Sequence, residues 1–213
     1  ALGLSSLGAL LIGDAAFQSS ILSTKMQFGL QNFVLVGIPL FILAAKLMNT
    51  AGITEKIFRF AGTIVGFLPG GLGHANVVAS LIFSGMSGAA VVDAASLGQI
   101  ELAAMKKAGY PRAFSVAITA GSSIIGPIFP PSIPMVIFGL VAEVSVGRLF
   151  LGGVIPGLLM TAALMIMVAI YARRKNYPRI PFPGFREIIK GFSHAFLPIL
   201  TPIILLGGIW SGQ

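Results

Sequence analysis

Residues 113–142, AFSVAITAGSSIIGPIFPPSIPMVIFGLVA, run for 30 positions without a formal charge, and the middle of the run reads GSSIIGPIFPPSIP. At about 1.5 Å per residue, a continuous helix of that length would overrun the ~30 Å hydrocarbon core of a bilayer. Pro127, Pro130, Pro131 and Pro134 forbid continuity, because each lacks the N–H that a helix needs and crowds the carbonyl one turn earlier. The pattern predicts a transmembrane helix broken near mid-membrane. Irregular backbone at that depth survives only where protein buries it or where it lines a watery cavity, and in secondary transporters such breaks are where ions and substrates bind.

The rest of the chain reads as the same class. Hydrophobic residues make up 56% and charged residues 9%, against about a quarter charged in a soluble domain, and the mean hydropathy is +0.96. Uncharged runs occupy 26–45, 60–92, 113–142, 149–172 and 191–213, several of them long enough to span a bilayer. None has the basic n-region, short apolar core and small-residue cleavage site of a signal peptide. The absence of cysteine excludes a disulfide scaffold, a Cys-based zinc site and a thiol nucleophile. A net charge of +8 suggests nucleic acid at first sight. Its distribution excludes that reading, since Arg173, Arg174, Lys175, Arg179, Arg186 and Lys190 crowd one loop between apolar segments, as the positive-inside bias dictates for a cytoplasmic loop. ALGLSSLGALLIG at the start is only about half a span long, so the chain is expected to be part of a larger permease with its first helix missing.

Residues 70–105 form either one span or two half-helices joined at 84–88, SGMSG. A re-entrant hairpin faces Lys46, Lys56, Arg59, Lys106, Lys107, Arg112 and the six loop cations to the cytoplasm and leaves Lys25 and Arg148 outside; a single crossing separates the charges less well. Small residues and hydroxyls at the tip also let two backbones approach. The expected map is a span at about 33–50, closed by Asn49 and Gly52, then the amphipathic segment ITEKIFRFAGTIVGFL, whose apolar stripe beside Glu55, Lys56 and Arg59 suits an interfacial helix. The hairpin, a broken helix at 113–147, a helix at 149–172 and the basic loop follow. The fold class is therefore an all-α polytopic membrane protein.

SGMSGAAVVDAASLGQIELAAMKKAGYPRAFSVAITAGSSIIGPIFPPSIPMVIFG, residues 84–139, resembles the core of the large membrane subunit of tripartite ATP-independent periplasmic (TRAP) transporters, and IPLFILAAKLMNTAGI and GRLFLGGVIPGLLM resemble its flanking blocks. The resemblance implies an elevator fold like that of the ion-transporter superfamily, of which this chain is the first of two inverted repeats. Residues 1–69 then correspond to scaffold helices and an interfacial arm helix, 70–172 to half of the transport domain, and 173–213 to the cytoplasmic loop and the start of the second scaffold. It also implies a bacterial inner membrane, sodium as coupling ion, a small four-helix membrane subunit, a periplasmic substrate-binding protein, and an organic-acid substrate such as sialic acid or a C4-dicarboxylate. No other cofactor is expected.

Within the family, hairpin tips and broken helices surround the cation and substrate sites, which transfers here to 84–88 and 126–132. The residue chemistry agrees. Sodium takes several oxygens, and an unwound backbone frees carbonyls that a helix would consume. The cation candidates are Ser84, Ser87, Gly88, Gly126, Pro127 and Pro130. An anionic substrate would use helix N-termini, with Gly88 opening one half-helix and Ser132 capping another before Pro134, so the substrate candidates are Ser87, Gly88, Ser123 and Ser132. Serines in membrane helices also serve as packing residues, and for Ser80, Ser96 and Ser122 packing is preferred over a functional role. Asp93, an intramembrane carboxylate, is either a cation or proton partner or a hydrogen-bonded structural residue of the second half-helix, and the structural role is preferred. Glu101 is expected in a solvated ion pair with Lys106 and Lys107. His74 lacks partners for a metal, and Tyr110 and Trp210 are expected at interfaces. A channel, or another ion-coupled permease of this architecture, is the alternative, and no nucleophile with a base supports an enzyme.

Overall fold

The computed structural model describes residues 33–179 and separate positions between 181 and 207. The expected opening helix, Trp210 and most of the segment after 180 lie outside the described residues. From Ile38 onward the chain forms one compact unit. Seven helices are delimited, and no strand occurs among the described residues.

Helix α1, Phe33–Thr50, carries Pro39 inside it and ends with the Thr50 hydroxyl donating to Lys46 O. Gly52, at φ 70°, turns the chain into α2, Ile53–Val65. This helix has one apolar face: Ile57, Phe58, Phe60, Ala61 and Val65 are buried, whereas Glu55, Lys56 and Arg59 are exposed. The buried face packs on α3, Gly71–Ser87, and on α4, Ala90–Lys107.

α3 is the centre of the unit. Ala75, Ala79, Phe83 and Met86 join Ile57, Phe58, Ala61 and Leu97 in one core, while Val77 joins Met105, Ile118, Ile125 and Val168 in a second. Short side chains on both faces let α2, α4 and α5 approach the same helix closely. α3 and α4 form an antiparallel hairpin, since Asn76, twelve residues before Gly88, bonds Glu101, thirteen residues after it. The turn is tighter than 84–88. α3 continues to Ser87, Gly88 takes φ 60° and Ala89 is extended. Gly88 therefore ends the first half-helix rather than opening the second, because only glycine enters the left-handed region without steric cost.

The interrupted helix has limbs α5, Arg112–Ser123, and α6, Ile133–Val141, with residues 124–132 in turns. The second limb is shorter than the expected 147: Glu143 takes φ 54°, Val144 N–H bonds Gly139 O, and α7, Val146–Lys175, begins at once. α7 is long and apolar enough to cross a membrane, with a mean hydropathy of 2.3 in its most apolar 18-residue window. Leu151, Ile155, Leu159, Ile166 and Ile170 point outward. Gly153 and Gly157, four residues apart, face inward against the break, where added Cβ atoms would meet Ile128 O and the Phe129 side chain. Arg173, Arg174 and Lys175 complete its last turn, where cations suit the negative end of the helix dipole.

Candidate functional site

The hairpin tip and the helix break are joined through backbone. Ile133 N–H donates to Gly88 O at 3.1 Å, the one hydrogen bond that crosses from α6 to the tip among the described residues. A Cβ on Gly88 would lie 2.7 Å from Pro131 O, and one on Gly126 would lie 3.3 Å from the Ala89 carbonyl carbon. At Gly88, which also takes φ 60°, only glycine allows main chains that close, while at Gly126 a side chain would need the neighbouring backbone to give by a few tenths of an ångström.

Around this seam the candidate oxygens differ in their commitments. Ser84 and Ser87 are both fully buried in the last turn of α3. The Ser84 hydroxyl donates to Leu81 O at 2.6 Å, which leaves its lone pairs free, and the Ser87 hydroxyl has no partner. On the other side, the carbonyls of Gly126, Phe129 and Pro130 accept no hydrogen bond among the described residues. Pro127 O does accept one, from the Ser132 hydroxyl. The prolines explain the free carbonyls: Pro127, Pro130, Pro131 and Pro134 supply no N–H to the turns before them.

The two helix N-termini are not equivalent. Ser132 caps α6 as its sequence position predicts, accepting from Met135 N–H at 3.3 Å. With Ile133 N–H on Gly88 O and no N–H on Pro134, the first turn of α6 has no donor left for an anion. α4 keeps three: the N–H groups of Ala90, Val91 and Val92 donate to nothing among the described residues, and Ala89 supplies no side-chain cap. Ser123 is buried with its hydroxyl turned onto Ala120 O, one turn before the break.

A second polar group lies deeper in the hairpin, and most of it is not singled out by the sequence. Asn76 Nδ2 donates to Glu101 Oε2 at 2.7 Å and to Thr119 Oγ1 at 2.7 Å. Ser122 Oγ donates to Asn76 Oδ1 at 2.7 Å and accepts from Ser80 Oγ at 3.0 Å. Glu101 is thus buried, at 1% exposure, and makes no ion pair with Lys106 or Lys107, which are exposed. It turns inward because Asn76 offers it a donor there. Asp93 is also 1% exposed, in the first turn of α4, and neither carboxylate oxygen has a partner within hydrogen-bonding geometry among the described residues. A signal was present: Asn76, Ser80, Ser84 and Ser87 recur at three- and four-residue spacing on α3, as do Ser115, Thr119 and Ser122 on α5, which places each set on one helix face.

Tyr110 closes the other end of the hairpin. It is buried, and its hydroxyl accepts from Leu72 N–H at 3.4 Å and donates to Pro178 O at 2.9 Å, with Phe114 and Tyr177 against its ring.

A helical hairpin sealed onto the break of an interrupted helix, inside an apolar bundle, is an architecture of membrane transport proteins, in which irregular backbone is kept for ligands. Comparison with known proteins gives the family. The model of the tripartite ATP-independent periplasmic transporter, DctM component, matches residues 1–213, and the chain belongs to that family, which is one of transporters rather than enzymes. It is 50% identical over 189 residues to the sialic acid TRAP transporter large permease protein SiaM of Vibrio cholerae, covering 89% of this chain and 44% of that protein. It is 48% identical to the sialic acid TRAP transporter permease protein SiaT of Haemophilus influenzae, over 88% of this chain and 30% of the relative. The C4-dicarboxylate TRAP transporter large permease protein DctM of V. cholerae is 42% identical over 99% of this chain and 47% of its own length. The chain thus spans less than half of each of these relatives.

Proposed function

We propose that this chain is the first of two inverted halves of a sodium-coupled secondary transporter of the bacterial inner membrane. It imports an organic acid that a periplasmic binding protein delivers, beside a small four-helix membrane subunit. The observation that carries the reading is the seam between tip and break, where the buried, unpartnered Ser87 hydroxyl adjoins the Gly88 O to Ile133 N bond. A hard cation takes the lone pairs of Ser84 and Ser87 and the carbonyls of Gly126, Phe129 and Pro130, all acceptors without a competing donor. The substrate carboxylate takes the three N–H groups opening α4, where the helix dipole favours an anion. Sialic acid is the preferred substrate, supported by the names of the two more similar relatives above, with C4-dicarboxylates the other class. α2 lies in the membrane interface with its charged edge toward water, and the hairpin and break move as one body in an elevator cycle.

Ser87→Ala tests the site. In the full transporter reconstituted with its binding protein, losing one ligand of about 1–2 kcal/mol raises the sodium concentration for half-maximal uptake about tenfold. Unaltered sodium activation overturns the assignment.

A further inference from the structure

A basic cavity forms where α7 ends. Asn176, at φ 52°, stops the helix in the left-handed region and redirects the chain. Two contacts hold the segment that follows: the Tyr177 ring packs on Tyr110 and Phe114, and Pro178 O accepts the Tyr110 hydroxyl. Arg179, the next residue, is thereby brought to the same cavity as Arg173, six positions earlier in the last turn of α7. The opposite wall is the turn between α2 and α3, where Gly70 runs so close to α7 that an added Cβ would lie 2.5 Å from the Ala172 methyl. The cavity holds about 310 Å³ and is lined by Pro69, Ala172, Arg173, Asn176, Tyr177 and Arg179.

The charge of this cavity selects an anion. Among the described residues neither guanidinium is in an ion pair, and the Asn176 amide and the Tyr177 hydroxyl have no hydrogen-bond partner. α3, α7 and residues 66–70 carry no acidic side chain to compete for them. The negative end of the α7 dipole works against an anion, but it amounts to about half an elementary charge, against a whole one on each arginine. The position of the cavity selects a lipid. Leu159, Ile166 and Ile170 are exposed, and successive spacings of seven, four and three residues place them on one face of α7 with Arg173. That apolar face leads directly to the cavity, with Arg173 about 10 Å beyond Ile166 along the axis.

We propose that this cavity binds the phosphate of an anionic phospholipid of the cytoplasmic leaflet. Arg173 and Arg179 take the phosphate oxygens through their paired N–H groups, Asn176 and Tyr177 supply further donors, and an acyl chain lies along Leu159, Ile166 and Ile170. A free phosphate ion would use the same arginines and leave the apolar face without a role. Arg174 and Lys175, in the same turn of α7, are exposed and do not line the cavity, so they separate a built site from general attraction to basic residues. The proposal rests on the membership of the family and on this cavity, and not on the sodium reading, which Ser87→Ala tests separately.

The experiment titrates phosphatidylglycerol onto the complete transporter in detergent and counts bound lipid by native mass spectrometry. Replacing Arg173 and Arg179 together with glutamine should weaken one bound lipid about thirtyfold, while replacing Arg174 and Lys175 together with glutamine should leave it unchanged. If the first double variant does not fold, Arg179→Gln alone, outside any helix, should still weaken that lipid about fivefold. Neither phosphatidylcholine, which has the phosphate but a neutral head, nor millimolar inorganic phosphate should displace it. Undiminished binding when the cavity arginines are replaced overturns the proposal, and so does an equal loss in the Arg174 and Lys175 variant. Displacement by phosphatidylcholine overturns it as well, and displacement by inorganic phosphate overturns it in favour of a free anion.

Discussion

Ser84 and Ser87 stand one helical turn apart, yet the fates of their protons differ: one is spent on a carbonyl of its own helix and the other is spent on nothing. Both arrangements leave oxygen lone pairs available, which is the property a cation needs and a packing serine does not. Gly88 sets the geometry of both. Gly88→Ala places a Cβ at φ 60° and 2.7 Å from Pro131 O, so the variant should lose about 1–2 kcal/mol to the left-handed conformation alone, plus whatever moves Pro131. The expected result is a lower melting temperature of the purified transporter and loss of uptake; full activity would show that the seam is slack. At this scale the sequence was informative where residue type dictates conformation, as at Gly88, Ser132 and the prolines. It was uninformative for Glu101 and Asp93, because whether a carboxylate turns to lysines or to a buried amide depends on which helix packs beside it. Asn76, twenty-five positions away, supplies the answer for Glu101.

Among the elements, the broken helix was the most legible, since four prolines in eight residues admit no helix whatever surrounds them. Its end was less so. The apolar pattern runs on smoothly into the next segment, and the stop at Val141 comes from the left-handed Glu143, which no residue preference announces. The hairpin was readable from charge placement and small residues, but its tip was displaced toward Gly88 because α3 keeps its hydrogen bonds through Ser87. Replacing Pro130 and Pro131 together with alanine restores two N–H donors and removes two ring clashes, so helix can propagate into the break. That would reclaim the carbonyls of Gly126, Phe129 and Pro130 and shift Ile133 away from Gly88 O. Protein yield and melting temperature should be at least those of wild type, with uptake abolished. Retained uptake would mean that the free carbonyls are not ligands.

For the molecule as a whole, the Tyr110 hydroxyl fixes a sidedness that apolar runs alone cannot. By bonding both Leu72 and Pro178, it places the start of the hairpin, the α4–α5 loop and the end of α7 at one end of the bundle. Single cysteines at positions 108 and 176 should therefore be labelled by an impermeant reagent from the same side of the membrane, and one at 147, at the other end of α7, from the opposite side. Labelling of 108 and 176 from different sides would contradict the bundle itself, not only its orientation. The same hydroxyl also has a mechanical meaning. A side chain that clasps three segments at once makes the end of the bundle a handle, so that force arriving through the chain beyond Pro178 is passed to the hairpin as displacement and not absorbed as bending. Spin labels at 108 and 176 should then report one narrow distance distribution in every state of the transport cycle, and Tyr110→Phe, which keeps the ring and removes both bonds, should broaden it.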